Sequence, residues 1–314
     1  MSTSLVDRPA DDGEGPVRRQ FRTDVRVVSA ERSVSERLRE IWRYRELLLS
    51  LVRKELKVKY KDSFLGFAWS MLNPAFTLTI YYVVFQLILG VGIPLFPIYL
   101  GSGLLVWNLF SGALSGATGS IVGNSSIVKK VSFPREILPL ASVGAALFNF
   151  FLQSIVMALA LMLFQHAPSP KHLVLIPFAI VVILLFSSAL GIFLSAINVR
   201  FRDTQHLLEL VLQAWFWATP IIYQVSLATT HLDKIHLTWA YYVFNPITSV
   251  VVTFQRALYN KLGPVASGGS EVIPDATALW YLAHLGAVAL MSLVLLYGAM
   301  RVFGRLEGNF AEEL

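Results

Sequence analysis

Apolar residues run in long blocks along this chain, and charge is confined to the gaps between the blocks. The sharpest boundary follows RKELKVKYK (Arg53–Lys61), in which five of nine residues are Lys or Arg. From Ser63 to Val128 there are then 66 residues without a single charge. Charge is tolerated beside a bilayer and costly inside it, so the boundary marks a membrane surface. A helix crosses the hydrocarbon core with about 20 apolar residues. The uncharged tract predicts two such helices, Phe67–Gly90 and Ile98–Thr118, separated by a turn at Pro94 and Pro97. Further spans are predicted at Leu138–Phe164, Leu173–Ile197, Leu207–Tyr223 and Ala278–Met300, the Leu207–Tyr223 helix being shorter and carrying Glu209. The expected fold is an all-α polytopic membrane protein with six transmembrane helices and both termini on one side.

Two segments depart from that pattern. Ser33–Tyr60 reads as a helix ahead of the membrane, opened by an S-x-x-E capping box at Ser33 and Glu36. Val34, Leu38, Ile41, Leu48, Val52 and Leu56 share one face, while Arg37, Arg43, Arg53, Lys54 and Lys57 lie largely elsewhere. A basic amphipathic helix of this kind lies in the interface plane, as a lipid anchor or as a lever for another protein. The second departure is WAYYVFNPITSVVVTF (Trp239–Phe254), broken at Asn245-Pro246. Its 16 residues rise about 24 Å as a helix, short of a core of about 30 Å. A re-entrant pair broken at Asn-Pro fits better than a span, and a surface loop packed on the bundle is the other reading. Broken backbone at membrane depth needs shelter from protein or a cavity, so the first reading implies a pathway end or lid.

Composition agrees with the membrane assignment. The chain has 314 residues, 55% hydrophobic and 15% charged, with net charge +6 and a mean hydropathy of +0.60. Soluble domains carry about 25% charged residues. The positive charge is placed, not spread. Residues 1–66 hold 15 of the 26 Lys and Arg, and 22 of the 26 fall on one side of the predicted topology against four on the other. The positive-inside rule therefore predicts cytoplasmic termini, and reads the net positive charge as membrane topology and not as a nucleic-acid surface. Residues 1–30 are polar and lack apolar periodicity, so they read as a disordered cytoplasmic tail without a signal-peptide core. The expected organisation is this tail, the interface helix over 31–62, a six-span transmembrane domain over 63–305, and a C-terminal tail over 306–314. There are no cysteines, which excludes disulfides, thiolate metal sites and thiol catalysis.

Chemistry of other kinds is missing from the sequence. It contains no Gly-Lys dipeptide and hence no Walker A loop, no H-E-x-x-H, no D-x-D and no G-x-S-x-G. The expectation is that the chain has no catalytic residue and binds no metal or cofactor. Within the later spans only Glu209 and His284 are ionisable, whereas ion-coupled carriers keep such groups at membrane depth. Uphill transport would then draw its energy from another subunit. The loop GNSSIVKKVSFPREILPL (Gly123–Leu140) suits such a partner, because Lys129, Lys130, Arg135 and Glu136 alternate with apolar residues such as Phe133, before Pro134 opens a new helix. Aromatic residues gather on two spans: Trp69, Tyr81, Tyr82 and Phe85, then Trp215, Phe216, Trp217 and Tyr223. Each alone fits interfacial anchoring; together they can form a wall on which sugar rings stack.

The stretch ERLREIWRYRELLLSLVRKELKVKYKDSFLGFAWSMLNP resembles the amino-terminal signature of permease subunits of polysaccharide ABC exporters. The likeness recurs at IVKKVSFPREILPLASV and INVRFRDTQHLLELVLQAWFWATPIIY, in order, over residues 35–305. The resemblance implies a homodimer of permeases joined to two ATPase subunits, which hold ATP and magnesium, and a lipid-linked polysaccharide as cargo. It places ATPase docking on the basic helix, with Arg53, Lys54 and Lys57, and on the loop, with Lys129, Lys130, Phe133, Pro134, Arg135 and Glu136. It implies a channel along the first and fifth spans and an outer gate over Leu237–Leu258, with Tyr241, Tyr242, Phe244, Asn245 and Pro246. An ABC permease for a drug or small lipid has the same architecture. A polytopic enzyme acting on lipid-linked sugars is the alternative of another class, with only Asp203, Glu209 and Asp233 as candidate acids.

Overall fold

The computed structural model describes residues 33–61, 66–233, 238–260 and 272–314. The 1–30 tail, residues 62–65 and the Leu237 end of the expected gate lie outside the described residues. The elements among the described residues are helical: α1 Val34–Arg43, α2 Arg45–Tyr60, α3 Trp69–Tyr81, α4 Phe96–Gly123, α5 Ser125–Val128, α6 Ile137–Leu163, α7 Pro170–Leu173, α8 Ile176–Arg200, α9 Thr204–Ala218, α10 Val225–Asp233, α11 Thr238–Phe244, α12 Pro246–Leu258, α13 Ala278–Leu306 and α14 Phe310–Glu313.

Among the described residues five helical stretches are long and apolar enough to cross a membrane: Trp69–Ile88, Phe96–Gly123, Ile137–Leu163, Pro170–Arg200 and Ala278–Asn309. They coincide with five of the six expected spans to within a few residues at most ends. The expected fifth span, Leu207–Tyr223, is instead the 15-residue α9, which stops at Ala218. Pro220 explains the stop, since its ring disfavours helical backbone in the preceding residue; Thr219 is extended, at φ −102 and ψ 133. The expected amphipathic helix is also interrupted. It is two helices meeting at Tyr44, with the Ser33/Glu36 capping box in place: Ser33 Oγ accepts from Glu36 N at 3.3 Å and Ser33 N donates to Glu36 Oε2 at 3.0 Å. The Trp239–Phe254 run breaks where Asn245-Pro246 predicts, into α11 and α12.

α4 is the central helix, packed by α6, α8, α12 and α9. The most apolar stretch of α4 is 72% buried, whereas none of that in the first span is. The first span continues past α3 into π-helical turns at Tyr82–Ile88, then reverses through Gly90 (φ 63) and Gly92 (φ 73), left-handed backbone that glycine adopts without strain.

Where α4 crosses α8 the contact is made by small residues. Ser187, Gly191 and Ser195 recur every four residues on α8, opposite Ala113 and Ala117 of α4, all of them buried. Helices in lipid are not driven together by the hydrophobic effect, so close approach and packing hold them. A Cβ placed on Gly191 would stand 2.7 Å from the Ala117 Cβ. Gly191→Ile is therefore expected to wedge the two helices apart at a cost of about 1–3 kcal/mol, read as a lowered unfolding temperature in detergent. An unchanged transition would mean that the crossing tolerates a branched side chain.

Candidate functional site

Three regions carry the residues singled out above. At the end of the bundle where α1 and α2 gather, an apolar cluster of Leu51, Ile121, Val128, Ile137, Val199 and Phe303 joins six helices. On its rim Arg53, Lys54, Lys57, Lys129 and Lys130 are exposed. Lys54 Nζ donates to Asn124 Oδ1 at 2.8 Å, tying α2 to the turn before α5. Val131 is 55% exposed. Phe133 is half-buried against the cluster and Pro134 is buried.

Two charges sit where the sequence pattern does not put them. Arg37, expected on the polar face of the amphipathic helix, is 7% exposed, and Glu136, expected on the docking surface, is 1% exposed. The two form a buried ion pair through Arg37 Nη1 and Glu136 Oε1. The same guanidinium nitrogen reaches Glu307 Oε2 at 3.0 Å. Burial raises the Glu136 carboxyl above the ordinary carboxylate range, reinforced by the Glu307 charge and opposed by Arg37. Glu136 thus faces into the protein. The period of α1 places Arg37 on the wrong face by charge alone; its partners, 99 and 270 residues away, bring it inside.

The second region is a groove beside the first span. Trp69, Asn73, Thr77 and Tyr81 recur every four residues and so share one face of α3. One cavity of about 410 Å³ takes in Trp69, Asn73 and Thr77 with Asn108, Asn149 and Gln153 of α4 and α6. A second, of about 400 Å³, takes in Thr77 and Tyr81 with Trp107, Gln213, Phe216 and Trp217. Both are lined by Thr77 and Asn108, so they adjoin. Amides at membrane depth need a partner or water; Asn108 Nδ2 donates to Gln153 Oε1 at 3.0 Å. At the basic end of the groove stand Glu55 and Lys59. Glu55 Oε1 accepts from Ser142 Oγ at 2.8 Å, and burial raises its carboxyl against the pull of that bond.

Of the eight aromatic residues expected along a channel, Trp69, Tyr81, Phe216 and Trp217 line these cavities. The others pack. Tyr82 lies against the main core, Phe85 stands between Tyr81 and Phe96, and Trp215 lies edge-on to Phe110 and Phe186. Tyr223 Oη donates to Trp217 O at 3.0 Å and closes the end of α9. Asn73, Asn108, Asn149, Gln153 and Gln213 were not singled out from the sequence, although amides inside uncharged spans were a readable signal.

The third region is the broken segment. Asn245 makes a clamp: its Oδ1 accepts from Trp215 Nε1 at 2.8 Å, and its Nδ2 donates to Ala218 O at 3.2 Å and Thr219 Oγ1 at 3.3 Å. Tyr241 Oη donates to the same Ala218 carbonyl at 2.9 Å. The residue before Pro246 therefore holds the end of α9 that Pro220 leaves without helical partners. Tyr242 is buried against Trp280 and His284, while Phe244 is 80% exposed. Every residue of α12 is buried, against α4, α8 and α13 among others.

Among the described residues no three His, Cys, Asp or Glu side chains gather as a metal site would need. Asp203 and Glu209 are exposed around the start of α9, and the side chain of Asp233 lies outside the described residues.

Comparison with known proteins agrees with this arrangement. Over 277 residues the chain is 35% identical to an O-antigen export system permease protein of Myxococcus xanthus, covering 88% of this chain and 98% of that protein. A protein of the same description from Klebsiella pneumoniae is 30% identical over 68% of this chain and 81% of its own length. The polysialic acid transport protein of Escherichia coli is 22% identical over 79% of this chain and 91% of its own. The profile described as ABC-2 type transporter matches residues 46–259, from α2 through the last turn of α12. The chain belongs to the ABC-2 type transporter family, as a multi-pass membrane permease.

Proposed function

We propose that this chain is the permease of an ATP-driven exporter that moves a lipid-linked polysaccharide from the cytoplasmic to the outer face of a bacterial plasma membrane. The observation that carries the reading is the groove along the first span, where Trp69, Asn73, Thr77 and Tyr81 face two adjoining cavities of about 410 and 400 Å³. Aromatic faces stack on sugar rings, and amides exchange hydrogen bonds with sugar hydroxyls. Both contacts can be exchanged from one sugar unit to the next, which suits a chain that has to slide. Relatives described as O-antigen permeases and a polysialic acid transport protein point to the same cargo class.

The charge distribution supports a cytoplasmic basic end with both termini beside it. There two ATPase subunits, carrying ATP and magnesium, dock on exposed Lys129, Lys130 and Val131 and on the rim of α2 at Arg53 and Lys57. A second copy of the chain completes the channel against the exposed first span. The short α9 and the α10–α12 segment close the outer end, with α11 and α12 as a re-entrant pair and the Asn245 clamp as the gate contact. The permease itself makes and breaks no bonds.

The test is to purify the complex through a tag on this chain from its own host, weigh it intact, and compare Trp217→Ala with the parent. A stoichiometric ATPase is expected, with polymer export lowered several-fold and basal ATP hydrolysis little changed. A chain that emerges without an ATPase, or equal loss of export and hydrolysis, would sink the proposal.

A further inference from the structure

The C-terminal residues, RLEGNFAEEL in sequence, carry no motif, yet they fold back onto the basic end of the bundle. Glu307 accepts from Arg37 Nη1 through its carboxylate at 3.0 Å, and from Arg135 Nη1 through its main-chain oxygen at 2.7 Å. One residue of the tail thus holds both α1 and the loop that precedes α6. Phe310 is 1% exposed, stands edge-on to Phe303 with centroids 5.4 Å apart, and lies under the Arg135 guanidinium at 5.6 Å. Gly304 leaves room for Arg37: a Cβ there would come within 2.7 Å of the guanidinium. A solvated acidic tail would make none of these contacts. Two arginines from segments about a hundred residues apart converge on one tail residue, and an aromatic ring buried beneath the second locks the tail in place.

We infer that the segment Glu307–Leu314 is a strut that positions the Lys129–Arg135 loop relative to α1, with Glu307 and Phe310 as its positioning residues. The inference rests on the docking role proposed for that loop. An ATPase that pushes the loop then moves α1, through Arg135, Glu307 and Arg37, and moves the inner end of α13, through Phe310 and Phe303. Without the strut the Arg37–Glu136 pair still ties α1 to the end of the loop, but the tie to the inner end of α13 is lost and the stroke weakens. Neither residue lines the groove cavities. Their action is on the position of groups that bind the partner.

The chain has no cysteine, so spin labels can be placed on Arg39→Cys of α1 and Ser132→Cys of the loop, both exposed positions. The distance distribution between the labels is measured in the full-length permease, without any ATPase, in the parent and in Glu307→Gln and Phe310→Ala. Both substitutions are expected to broaden it, and Glu307→Asp to narrow it again. In the complex with its ATPase, export per ATP hydrolysed should fall several-fold in Glu307→Gln and recover in Glu307→Asp. An unchanged distance distribution in both variants overturns the strut. A broadened distribution with unchanged export per ATP overturns its role in coupling. Failure of any ATPase to associate with the parent protein counts against the docking reading instead, and the label distances still decide whether the strut exists.

Discussion

Arg37→Met is expected to destabilise the protein by about 3–5 kcal/mol, the cost of leaving one member of a buried ion pair without its partner. Glu136 is 1% exposed, and without the guanidinium the Glu307 charge beside it is left to repel it. The loss depends on pH, with a sign that follows from the chemistry. Without Arg37 the folded-state pKa of Glu136 rises further above its unfolded value. Such a group contributes stability below the unfolded pKa and loses it as pH rises through the folded one. The penalty should thus be large at alkaline pH and shrink under mildly acidic conditions, where Glu136 takes up a proton. The double variant Arg37→Met/Glu136→Met removes both charges and should recover most of the loss, since an apolar replacement of a buried pair is often neutral or better. Thermal unfolding in detergent over a pH series tests both points. A penalty independent of pH, or a double variant no more stable than the single, would show that the pair is not the source.

Asn245→Leu is the second large effect. The substitution removes an acceptor from Trp215 Nε1 and a donor from Ala218 O and Thr219 Oγ1 in one step. Each buried polar group left unpaired costs about 1–3 kcal/mol. Tyr241 still donates to Ala218 O, so the main casualty is Trp215, whose ring is edge-on to Phe110 and Phe186 and cannot turn to find another acceptor. The variant should unfold at a lower temperature and release the end of α9 from α11 and α12, seen as faster amide exchange at Ala218 and Thr219. Asn245→Asp keeps the acceptor for Trp215 and loses the donors, so it should fall between the two. If exchange at Ala218 is unaffected in Asn245→Leu, the clamp does not hold the end of α9.

These two sites show what could and could not be read ahead of the structure. The Asn245-Pro246 break was legible, because proline cannot continue a helix and an apolar run of that length cannot cross a bilayer. Its clamp was not: Trp215 and Ala218 lie on another helix, and nothing in their local pattern names a partner. The fifth span shows the reverse error. Leu207–Tyr223 is apolar enough to read as one helix, and a window average does not register that Pro220 costs Thr219 its helical backbone. Among the eight aromatics singled out on the first and fifth expected spans, only packing separated Trp69, Tyr81, Phe216 and Trp217, which line cavities, from Trp215 and Phe85, which fill space. The amides of the groove were missed because an isolated Asn or Gln barely alters an apolar average, although it dominates the local chemistry.

What the sequence determined by itself is the membrane character of the chain, five of its long helices, the Ser33/Glu36 helix start and the asymmetry of its charge. All of these follow from the cost of charge and of unpaired backbone in hydrocarbon, which is paid locally and is therefore written locally. Only the tertiary structure decided that Arg37 and Glu136 are buried, that Glu307 holds both arginines, and that the polar faces of α3, α4 and α6 meet in one groove. Those outcomes depend on pairing between residues far apart in the chain. A charged side chain reads as solvent-facing until the partner that makes its burial tolerable is brought beside it.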